Sequence, residues 1–522
     1  MLYNRRMPFR RVRVLCPALA LVAAVAGAGP AAAAVDPLVL ASGPTPFAPG
    51  CNGFTQTGTV YRNAEVEPYV AADPTDPGQL IAVWQQDRFS NGGANGLLTA
   101  VSDNGGQSWT RPDPPPFSRC AGGNSANGGD YERATDPWVS VGPDGRAYQV
   151  SLSFNNDENA TNAILVSRSQ DGGLNWGALR TVIRDTKRRF FNDKESITAD
   201  PGRPGHAYVV WDRLDTPEGG PLRGPTYFSR TVDGGASWEP AHPIYDPGPG
   251  AQTIGNQIAV LPDGVLVNVL TKIVDGRLKV AAMRSADGGQ TWSAPVNVSG
   301  LKSVGVTDPR DGDPVRTADV IPDVAVDPRP GFTRVYAVWQ DARFTGGGRD
   351  QIAFARSGDG GRTWSAPQRV SSNLGTQAFT PAVEVDSAGN VGVTYYDFTN
   401  DTATNPLDTD YWFARSSDKG RTFGARERLT PASFNMRSAP QTPGGYFVGD
   451  YEGLTVPAGE TEFKSLFVAT TGDKLNRTDV FSTTVTAPFA AVAPARGAAA
   501  ASPRPRRAPG VLAGPVRAVR TP

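Results

Sequence analysis

Short apolar runs bounded by turn residues recur along residues 60–485, and helical patterns are almost absent. One type of run ends in Asp-Pro or Asp-Gly, as in EPYVAADP (67–74), NQIAVLPDG (256–264) and PDVAVDP (322–328). A second type follows it, as in QLIAVWQ and HAYVVW, and a third ends near an arginine, as in IAFARS and YWFARS. Runs rich in valine, isoleucine and aromatic residues between turn signals are typical of strands. The pattern therefore predicts an all-β fold.

An octapeptide with the consensus Ser/Thr-x-Asp-x-Gly-x-x-Trp follows the third run in each repeat. Its copies start at residues 102, 169, 231, 285, 357 and 416, a mean spacing of about 63 residues. Four strands in a repeat of this length predict a β-propeller with four-stranded blades. Seven first strands, the last being GDYEGLTV (449–456), favour seven blades, with six as the alternative if the last hairpins merge. We expect a strand near DPLVLAS (36–42) to complete the final blade.

The octapeptide itself predicts a structural turn rather than a reactive site. Its Asp can accept backbone N–H groups of its own loop, and the glycine at its fifth place suits a positive φ. The final Trp folds back and buries a large apolar face. Asn104 replaces the Asp in the first copy and Phe423 replaces the Trp in the last, and both residues can serve the same purpose.

Both ends of the chain differ from the middle. Residues 1–34 carry five arginines, then an apolar run, then PAAAA, which is the order of a secretory signal. The apolar run is too short to be a good membrane span, so no transmembrane segment is expected. Residues 488–522 are rich in Ala, Pro and Arg and predict a disordered tail. The propeller is expected over residues 35–487, in a protein that is secreted.

Charge and cysteine content narrow the classes of partner. Without the two ends, 40 basic residues face 51 acidic ones, so the propeller carries a net charge of about −11. This balance argues against nucleic acid as a partner. Cys51 and Cys120 remain after removal of the signal, and two cysteines in an exported protein most simply form a disulfide.

Candidate functional side chains concentrate at one pole of the predicted propeller. The octapeptides join third to fourth strands, so the first strands begin at the opposite pole, which also carries the loops between second and third strands. We call this pole the upper pole. The beginnings of first strands supply acidic, basic and aromatic residues: Glu67, Arg133, Asp136, Lys194, Glu195, Gln257, Arg316, Asp323, Asp450 and Tyr451. The loops between second and third strands supply Arg88, Arg213, Asp215, Arg343, Asp350 and Asp397.

The octapeptide is the Asp box, also called the BNR repeat, and the chain resembles the Asp-box propellers of the sialidase superfamily. The resemblance covers nearly all of residues 60–485. Sialidases hold a substrate carboxylate with three arginines, use a Tyr activated by a Glu as nucleophile, and use an Asp as general acid. Asp boxes also occur in other glycoside hydrolases, in sorting receptors and in binding propellers, and a fold does not settle function.

Transferred to this sequence, the resemblance implies Tyr451 as nucleophile and Glu195 as its base, with Asp136 or Asp215 as the acid. The candidates for substrate binding are Arg88, Arg133, Arg316, Arg343, Asp323 and Asp450. One departure is clear. Sialidases open the first blade with Phe/Tyr-Arg-Ile-Pro, whereas Val66 stands at the position of that arginine here.

Two functions from different classes remain open at this point. The first and preferred one is a secreted, sialidase-like exo-glycoside hydrolase that removes terminal sugars of glycans. The second is a non-catalytic propeller that binds glycans or proteins at the upper pole. Neither requires a cofactor, although acid-rich loops at 155–162 and 397–410 can hold a structural Ca²⁺ ion. The expected partner is a glycan or glycoconjugate, and the expected state is a monomer.

Overall fold

The computed structural model describes residues 34–53, 56–155, 160–405 and 407–486. The predicted signal, apart from Ala34, and the predicted tail lie outside the described residues. Within them β-strands are the dominant regular structure, and the helices are three short 3-10 helices at Arg119–Ala121, Ala342–Thr345 and Met436–Ser438. No helix among these residues has the length and apolar character needed to cross a membrane.

Strand pairing joins the described strands into five sheets, within which we distinguish seven successive groups of mainly antiparallel strands. The first two strands are β1 (Ala34–Val35) and β2 (Val39–Leu40). Group one is β3 (Val60–Asp73), β4 (Asp76–Phe89) and β5 (Ala94–Ser102). Group two is β6 (Arg133–Val141), β7 (Ala147–Phe154), β8 (Asn162–Ser169) and β9 (Arg180–Asp185). Group three is β10 (Phe190–Ala199), β11 (Ala207–Asp215), the short β12 (Arg223–Gly224), β13 (Thr226–Thr231) and β14 (His242–Tyr245). Group four is β15 (Ala251–Val260), β16 (Leu266–Val274), β17 (Arg277–Ser285), β18 (Val296–Gly300).

Two short strands, β19 (Val306–Thr307) and β20 (Pro314–Arg316), precede group five, and three more precede group seven. Group five is β21 (Asp323–Val326), β22 (Val335–Asp341), β23 (Gln351–Ser357), β24 (Gln368–Arg369), and group six is β25 (Ala378–Val385), β26 (Val391–Asp397), β27 (Asp408–Ser416), β28 (Glu427–Arg428). Then come β29 (Phe434–Asn435), β30 (Gln441–Thr442), β31 (Gly445–Phe447), and group seven, which is β32 (Gly453–Thr455), β33 (Glu462–Asp473), β34 (Asn476–Thr486).

The first strands of the groups pack against one another in a closed cycle. Contacts run from β3 through β6, β10, β15, β21 and β25 to β32, which returns to β3. The strands β1 and β2 pair with β34, so the N-terminal segment adds the outer strand of the last group, as expected from DPLVLAS. A cycle of this kind is the ring of a β-propeller. Seven groups favour seven blades over six, and the blade count stays a prediction.

The core lies between the sheets of neighbouring groups. Three tryptophans of the second strands, Trp84, Trp211 and Trp339, are fully buried. Side chains of β16 and β17 share one apolar cluster with those of β22 and β23 in the next group. Each sheet thus buries both faces, which explains why its strands read as nearly continuous apolar runs.

All six octapeptides form turns, as predicted: five join a third to a fourth strand, and the first leads from β5 to an isolated bridge between Val101 and Thr110. In each copy the hydroxyl at the first place accepts a hydrogen bond from the backbone N–H at the fifth. The Asp or Asn at the third place accepts one from the backbone N–H at the seventh. The closing ring packs partly buried against a core cluster, as Trp364 and Phe423 do. These turns therefore fasten the outer strand of each sheet.

The structure contains the disulfide between Cys51 and Cys120, which closes a sequence separation of 69 residues. It joins the segment before β3 to the 3-10 helix at Arg119–Ala121, in the connection between groups one and two. The pairing expected from the cysteine count is therefore present.

Candidate active site

A recurrent β-bulge shapes the beginning of the first strands. The pairing register shifts after Val66 in β3, after Thr135 in β6 and after Asp193 in β10. The bulged residues Glu67 and Lys194 have φ values of 54° and 51°, and Asp136 also has a φ of 51°. Residues other than glycine rarely adopt this left-handed backbone conformation, and backbone strain of this kind is frequent at functional sites. The bulges interrupt the ladder at equivalent places in three successive groups.

Lys194 forms hydrogen bonds with three carboxylates from three other parts of the ring. Its ammonium donates hydrogen bonds to Glu67 at 3.0 Å, Asp136 at 2.8 Å and Asp450 at 2.7 Å. The three acids are buried, and the Lys194 side chain is 10% exposed. A buried carboxylate without a partner costs several kcal/mol, so these four side chains depend on one another. We call them the Lys194 cluster.

Two arginines extend the Lys194 cluster at the upper pole. Arg316 forms a two-pronged ion pair with Asp450, with its Nε 3.0 Å from Oδ1. Arg88 donates to Gln85 at 2.7 Å, and Gln85 in turn donates to Glu67. Both guanidinium groups lie over the ring of Phe447, at 4.9 Å for Arg88 and 4.5 Å for Arg316. Phe447 is thus the apolar spacer that holds the two cations in place.

Glu195 faces a small cleft beside the Lys194 cluster. Its side chain is 3% exposed, and neither carboxyl oxygen has a hydrogen-bond partner in the described structure. The cleft is lined by Trp138, Lys194, Glu195, Ser196, Gly255, Asn256, Gln257, Ile321 and Tyr451. The Tyr451 hydroxyl donates to the carbonyl oxygen of Pro137 at 3.1 Å. A buried polar group without a partner is the exception in native structures, and a role in proton transfer is one explanation for it.

The carboxyl groups of the site differ in their proton affinity. Burial raises the pKa of Glu195 well above its usual value, and the neighbouring Asp136 raises it further. Burial also raises the pKa of Glu67 to about 8 and that of Asp193 to about 6. Burial alone would raise the pKa of Asp450 too, but Lys194 and Arg316 outweigh it and lower that pKa. The site therefore holds protonated and ionised carboxyls side by side at neutral pH.

Three aromatic rings pack together between the beginnings of the first strands. The rings of Tyr69 and Trp138 stack with centroids 3.7 Å apart, and the Trp138 ring lies 5.0 Å from that of Tyr451. Below this layer, residues of all seven first strands line a central channel of about 310 Å³. Glu384 faces this channel, and burial raises its pKa to about 8. Trp138, Ser196 and Gln257 line both the cleft and this channel, so the two cavities are neighbours.

The structure brings together six of the residues chosen from the sequence and gives the others different contacts. Asp136, Asp450, Glu195, Tyr451, Arg88 and Arg316 belong to the cluster, its arginine extension or the cleft. Arg133 instead donates to the carbonyls of Gly92 and Thr57 and lies over the Phe89 ring. Arg343 binds Asp341, and Asp215 pairs with Arg189 at the rim. Asp323 accepts the backbone N–H of Val383 at 2.7 Å, and burial raises its pKa to about 7.

Sequence reasoning gave Lys194 and Glu67 no role, although it noted both at the beginnings of first strands. It also missed Phe447 and the stacked pair Tyr69 and Trp138. One signal was available: Glu67-Pro68-Tyr69 and Asp136-Pro137-Trp138 repeat an acid, a proline and an aromatic residue at equivalent places. The catalytic roles that the resemblance assigned to individual residues stay predictions.

No protein-family model and no curated protein matches this chain. Among solved structures, an α-L-arabinanase of Penicillium chrysogenum is 14% identical, with 82% of this chain and 98% of that chain covered and a TM-score of 0.40. An α-L-arabinofuranosidase of Fusarium graminearum is 13% identical, with coverage of 87% and 98% and a TM-score of 0.43. The Trypanosoma rangeli sialidase is 13% identical, with coverage of 69% and 56% and a TM-score of 0.41. These three are glycoside hydrolases, and the fold of this chain is assigned from its own strand pairing.

Proposed function

We propose that this chain is a glycoside hydrolase that acts outside the cell and removes terminal sugars of glycans at its upper pole. One observation supports this proposal above the others. The buried, unpartnered carboxyl of Glu195 faces a cleft next to the ionic Lys194 cluster. Glycoside hydrolysis needs a protonated carboxyl and an ionised one at the same place, and environments that push two pKa values apart supply them.

Glu195 is the proposed general acid. Its raised pKa favours the protonated form, which can transfer a proton to the oxygen of the leaving group. Asp136, whose Oδ1 accepts a hydrogen bond from Lys194, is the proposed second carboxyl of the reaction. Trp138 and Tyr451 line the cleft and offer aromatic surface against which a sugar ring can pack.

The structure offers less support for the narrower sialidase mechanism. That mechanism uses a tyrosine bonded to a glutamate, whereas the Tyr451 hydroxyl donates to a backbone carbonyl. It also uses three arginines on the ligand carboxylate, whereas Arg133 and Arg343 make contacts with other parts of the chain. We therefore propose the hydrolase class and treat a sialoside as one substrate to be tested.

The test measures fluorophore release from a panel of 4-methylumbelliferyl glycosides that includes pyranosides, an arabinofuranoside and the sialoside. We expect at least one glycoside to be cleaved by the wild type and cleaved about 100-fold more slowly by Glu195→Gln, because general acid catalysis contributes about that much. Glu239→Gln is the matched control, since this carboxylate is 43% exposed and pairs with Arg230 beside the third octapeptide, so its loss should change the rate less than about two-fold. Equal rates for wild type and Glu195→Gln would refute the proposal.

A binding propeller is the second candidate function, and one observation favours it. All three hydrogens of the Lys194 ammonium are directed at the chain's own carboxylates, which is the behaviour of a structural brace. Under this reading the cleft retains a glycan without cleaving it. Binding of an oligosaccharide with no release of product over a day at enzyme concentrations near those of the glycan would support this candidate against the first.

A further inference from the structure

We infer that a basic pocket between the fifth and sixth octapeptides binds a phosphate or sulfate group. The pocket lies among the octapeptide turns, at the pole opposite the cleft, so the inference goes beyond the proposed hydrolase and does not depend on it. We call it the Lys419 pocket. Its lining consists of Arg334, Arg356, Ser357, Gly358, Thr363, Trp364, Ser365, Lys419 and Arg421.

The Lys419 pocket is large enough for a ligand and carries an excess of positive charge. Its volume is about 350 Å³, which is within the range of small-molecule sites. Four cations line it, those of Arg334, Arg356, Lys419 and Arg421, and none of the described residues in its lining is acidic. The propeller as a whole has the opposite balance, with a net charge of about −11. The pocket is therefore a local site of attraction for an anion.

Two of the four cations are available to a ligand. Lys419 and Arg421 are exposed, and within the described part of the chain neither side chain has a hydrogen-bond or ion-pair partner. Arg334, in contrast, is paired with the buried carboxylate of Asp327 at 2.8 Å. Binding of an anion would thus cost Lys419 and Arg421 no internal contact.

Two further donors stand beside these cations. Arg356 donates to the carbonyl oxygen of Gly420 at 2.7 Å, which holds the sixth turn against the fifth strand group. The hydroxyl of Ser365 accepts the backbone N–H of Arg356 at 3.1 Å, so its own hydrogen can be donated to a ligand. Ammonium, guanidinium and hydroxyl donors from different sides suit the several oxygens of a phosphate or sulfate group.

The backbone at Lys419 provides a second, independent observation. Lys419 is the fourth residue of the sixth octapeptide and has a φ of 67°. The other five octapeptides place a glycine there, with φ values from 69° to 73°, at Gly105, Gly172, Gly234, Gly288 and Gly360. A lysine in this left-handed conformation is less favourable than glycine. The turn alone therefore does not explain the lysine, whereas a ligand site does.

The test measures binding to the full chain by isothermal titration calorimetry. The ligands are glucose, glucose 6-phosphate, glucose 6-sulfate, inorganic phosphate and inorganic sulfate. We expect at least one of the anions to bind ten-fold or more tightly than glucose, because charge-assisted hydrogen bonds form only with the anions. Tighter binding of an ester than of its free ion would support the inference and identify the ester as the ligand, and equal binding would support it with the free ion as the ligand. The inference is overturned if no anion binds more tightly than glucose.

Two variants assign the binding to the Lys419 pocket. Lys419→Gly gives the sixth octapeptide the glycine of the other five, so its melting temperature should equal or exceed that of the wild type. We expect this variant and Arg421→Gln each to bind the anion about ten-fold more weakly. The control Lys474→Gln removes an exposed lysine from the turn between β33 and β34, at the upper pole, and should bind within about two-fold of wild type. Wild-type affinity in both pocket variants would place the anion elsewhere and overturn the inference.

Discussion

Lys194 donates a hydrogen bond to Asp450 at 2.7 Å, across 256 positions of the sequence. The lysine belongs to β10 in the third strand group, and the aspartate precedes β32 in the seventh. Because Lys194 also binds Glu67 and Asp136, one ammonium connects four separate parts of the ring. The Lys194 cluster therefore links the stability of the propeller to the geometry of its upper pole.

Replacing Lys194 with methionine tests the cluster as a brace. The substitution keeps most of the side-chain volume and leaves Glu67, Asp136 and Asp450 without their shared cation. Loss of one member of a buried ionic group leaves uncompensated charge, so we expect the free energy of unfolding to fall by about 3–5 kcal/mol. Urea denaturation followed by tryptophan fluorescence measures it. Lys279→Met, at an exposed position of β17, should cost less than about 0.5 kcal/mol. Equal losses in the two variants would contradict the brace.

The channel carboxyl of Glu384 predicts a pH dependence of stability. Burial raises its pKa from 4.5 in a solvated carboxyl to about 8 in the folded chain. The folded chain thus holds this proton more tightly than the unfolded chain does. The resulting stabilisation is complete below pH 4.5 and is lost as the pH rises through about 8.

Urea denaturation of wild type and Glu384→Gln between pH 5 and pH 9 checks this sign. We expect the wild type to lose stability relative to Glu384→Gln as the pH rises, because the glutamine does not ionise. Glu218→Gln, in an exposed loop, is the control and should follow the wild type at every pH. A difference between wild type and Glu384→Gln that stays constant with pH would rule out a raised pKa at this position.

The fold was predictable because its signals are local. The apolar runs, their turn residues and the six octapeptides each occupy fewer than about fifteen neighbouring residues, which is the range over which strand and turn preferences act. Because the same runs and octapeptides recur along the chain, the repeats together predicted the fold more clearly than any single copy could. The N-terminal strand at Val39–Leu40 was also foreseen, because a ring leaves an unfilled edge that some other strand must cover.

The site was only partly predictable because its contacts are not local. Arg316 reaches Asp450 because β20 pairs in parallel with β31, with Arg316 opposite Phe447, and this pairing lies outside the repeats. Nothing in the sequence around Arg133 or Arg343 distinguishes them from Arg316. The side chain of Arg133 donates hydrogen bonds to the carbonyl oxygens of Gly92 and Thr57, and these loops approach it only in the folded chain. The residue types indicated which side chains could take part in a site, but only the tertiary structure determines which of them lie together.

The octapeptide turns should affect stability without affecting the site. In the fifth copy Asp359 accepts the backbone N–H of Thr363 at 2.9 Å and its hydroxyl at 2.6 Å, while Ser357 donates to it at 2.7 Å. We expect Asp359→Ala to lower the free energy of unfolding by about 1–2 kcal/mol, since charge-assisted hydrogen bonds at a partly exposed turn are lost. Thermal melting measures the loss. Asp113→Ala, in an exposed loop, should stay within about 0.5 kcal/mol of wild type.

The same Asp359→Ala protein should retain its glycan binding and cleavage below the temperature at which it unfolds. The octapeptides join third to fourth strands and so lie at the pole opposite the cleft. A loss of activity in the folded variant would show that the turns contribute to the site, contrary to the role assigned to them.

Tyr451 provides the sharpest division between two mechanisms for cleavage. If tyrosine is the nucleophile, as the resemblance to sialidases implies, Tyr451→Phe should abolish product release as completely as Glu195→Gln does. In the folded chain the hydroxyl donates to Pro137, burial raises its pKa well above 10, and nearby carboxylates raise it further. Each of these effects opposes formation of the phenolate that a nucleophile requires.

We therefore expect Tyr451→Phe to slow cleavage less than about ten-fold, and Glu195→Gln to slow it about 100-fold. The modest effect of the first variant would come from a shift of the floor beneath the substrate, so it should appear mainly in KM. Steady-state kinetics on the best substrate of the panel separates the two parameters. A collapse of kcat in Tyr451→Phe, with KM unchanged and the fold intact by circular dichroism, would instead assign the nucleophile to Tyr451. Glu195 would then be its base rather than the acid, and it would have to ionise in that role despite the raised pKa of its buried carboxyl.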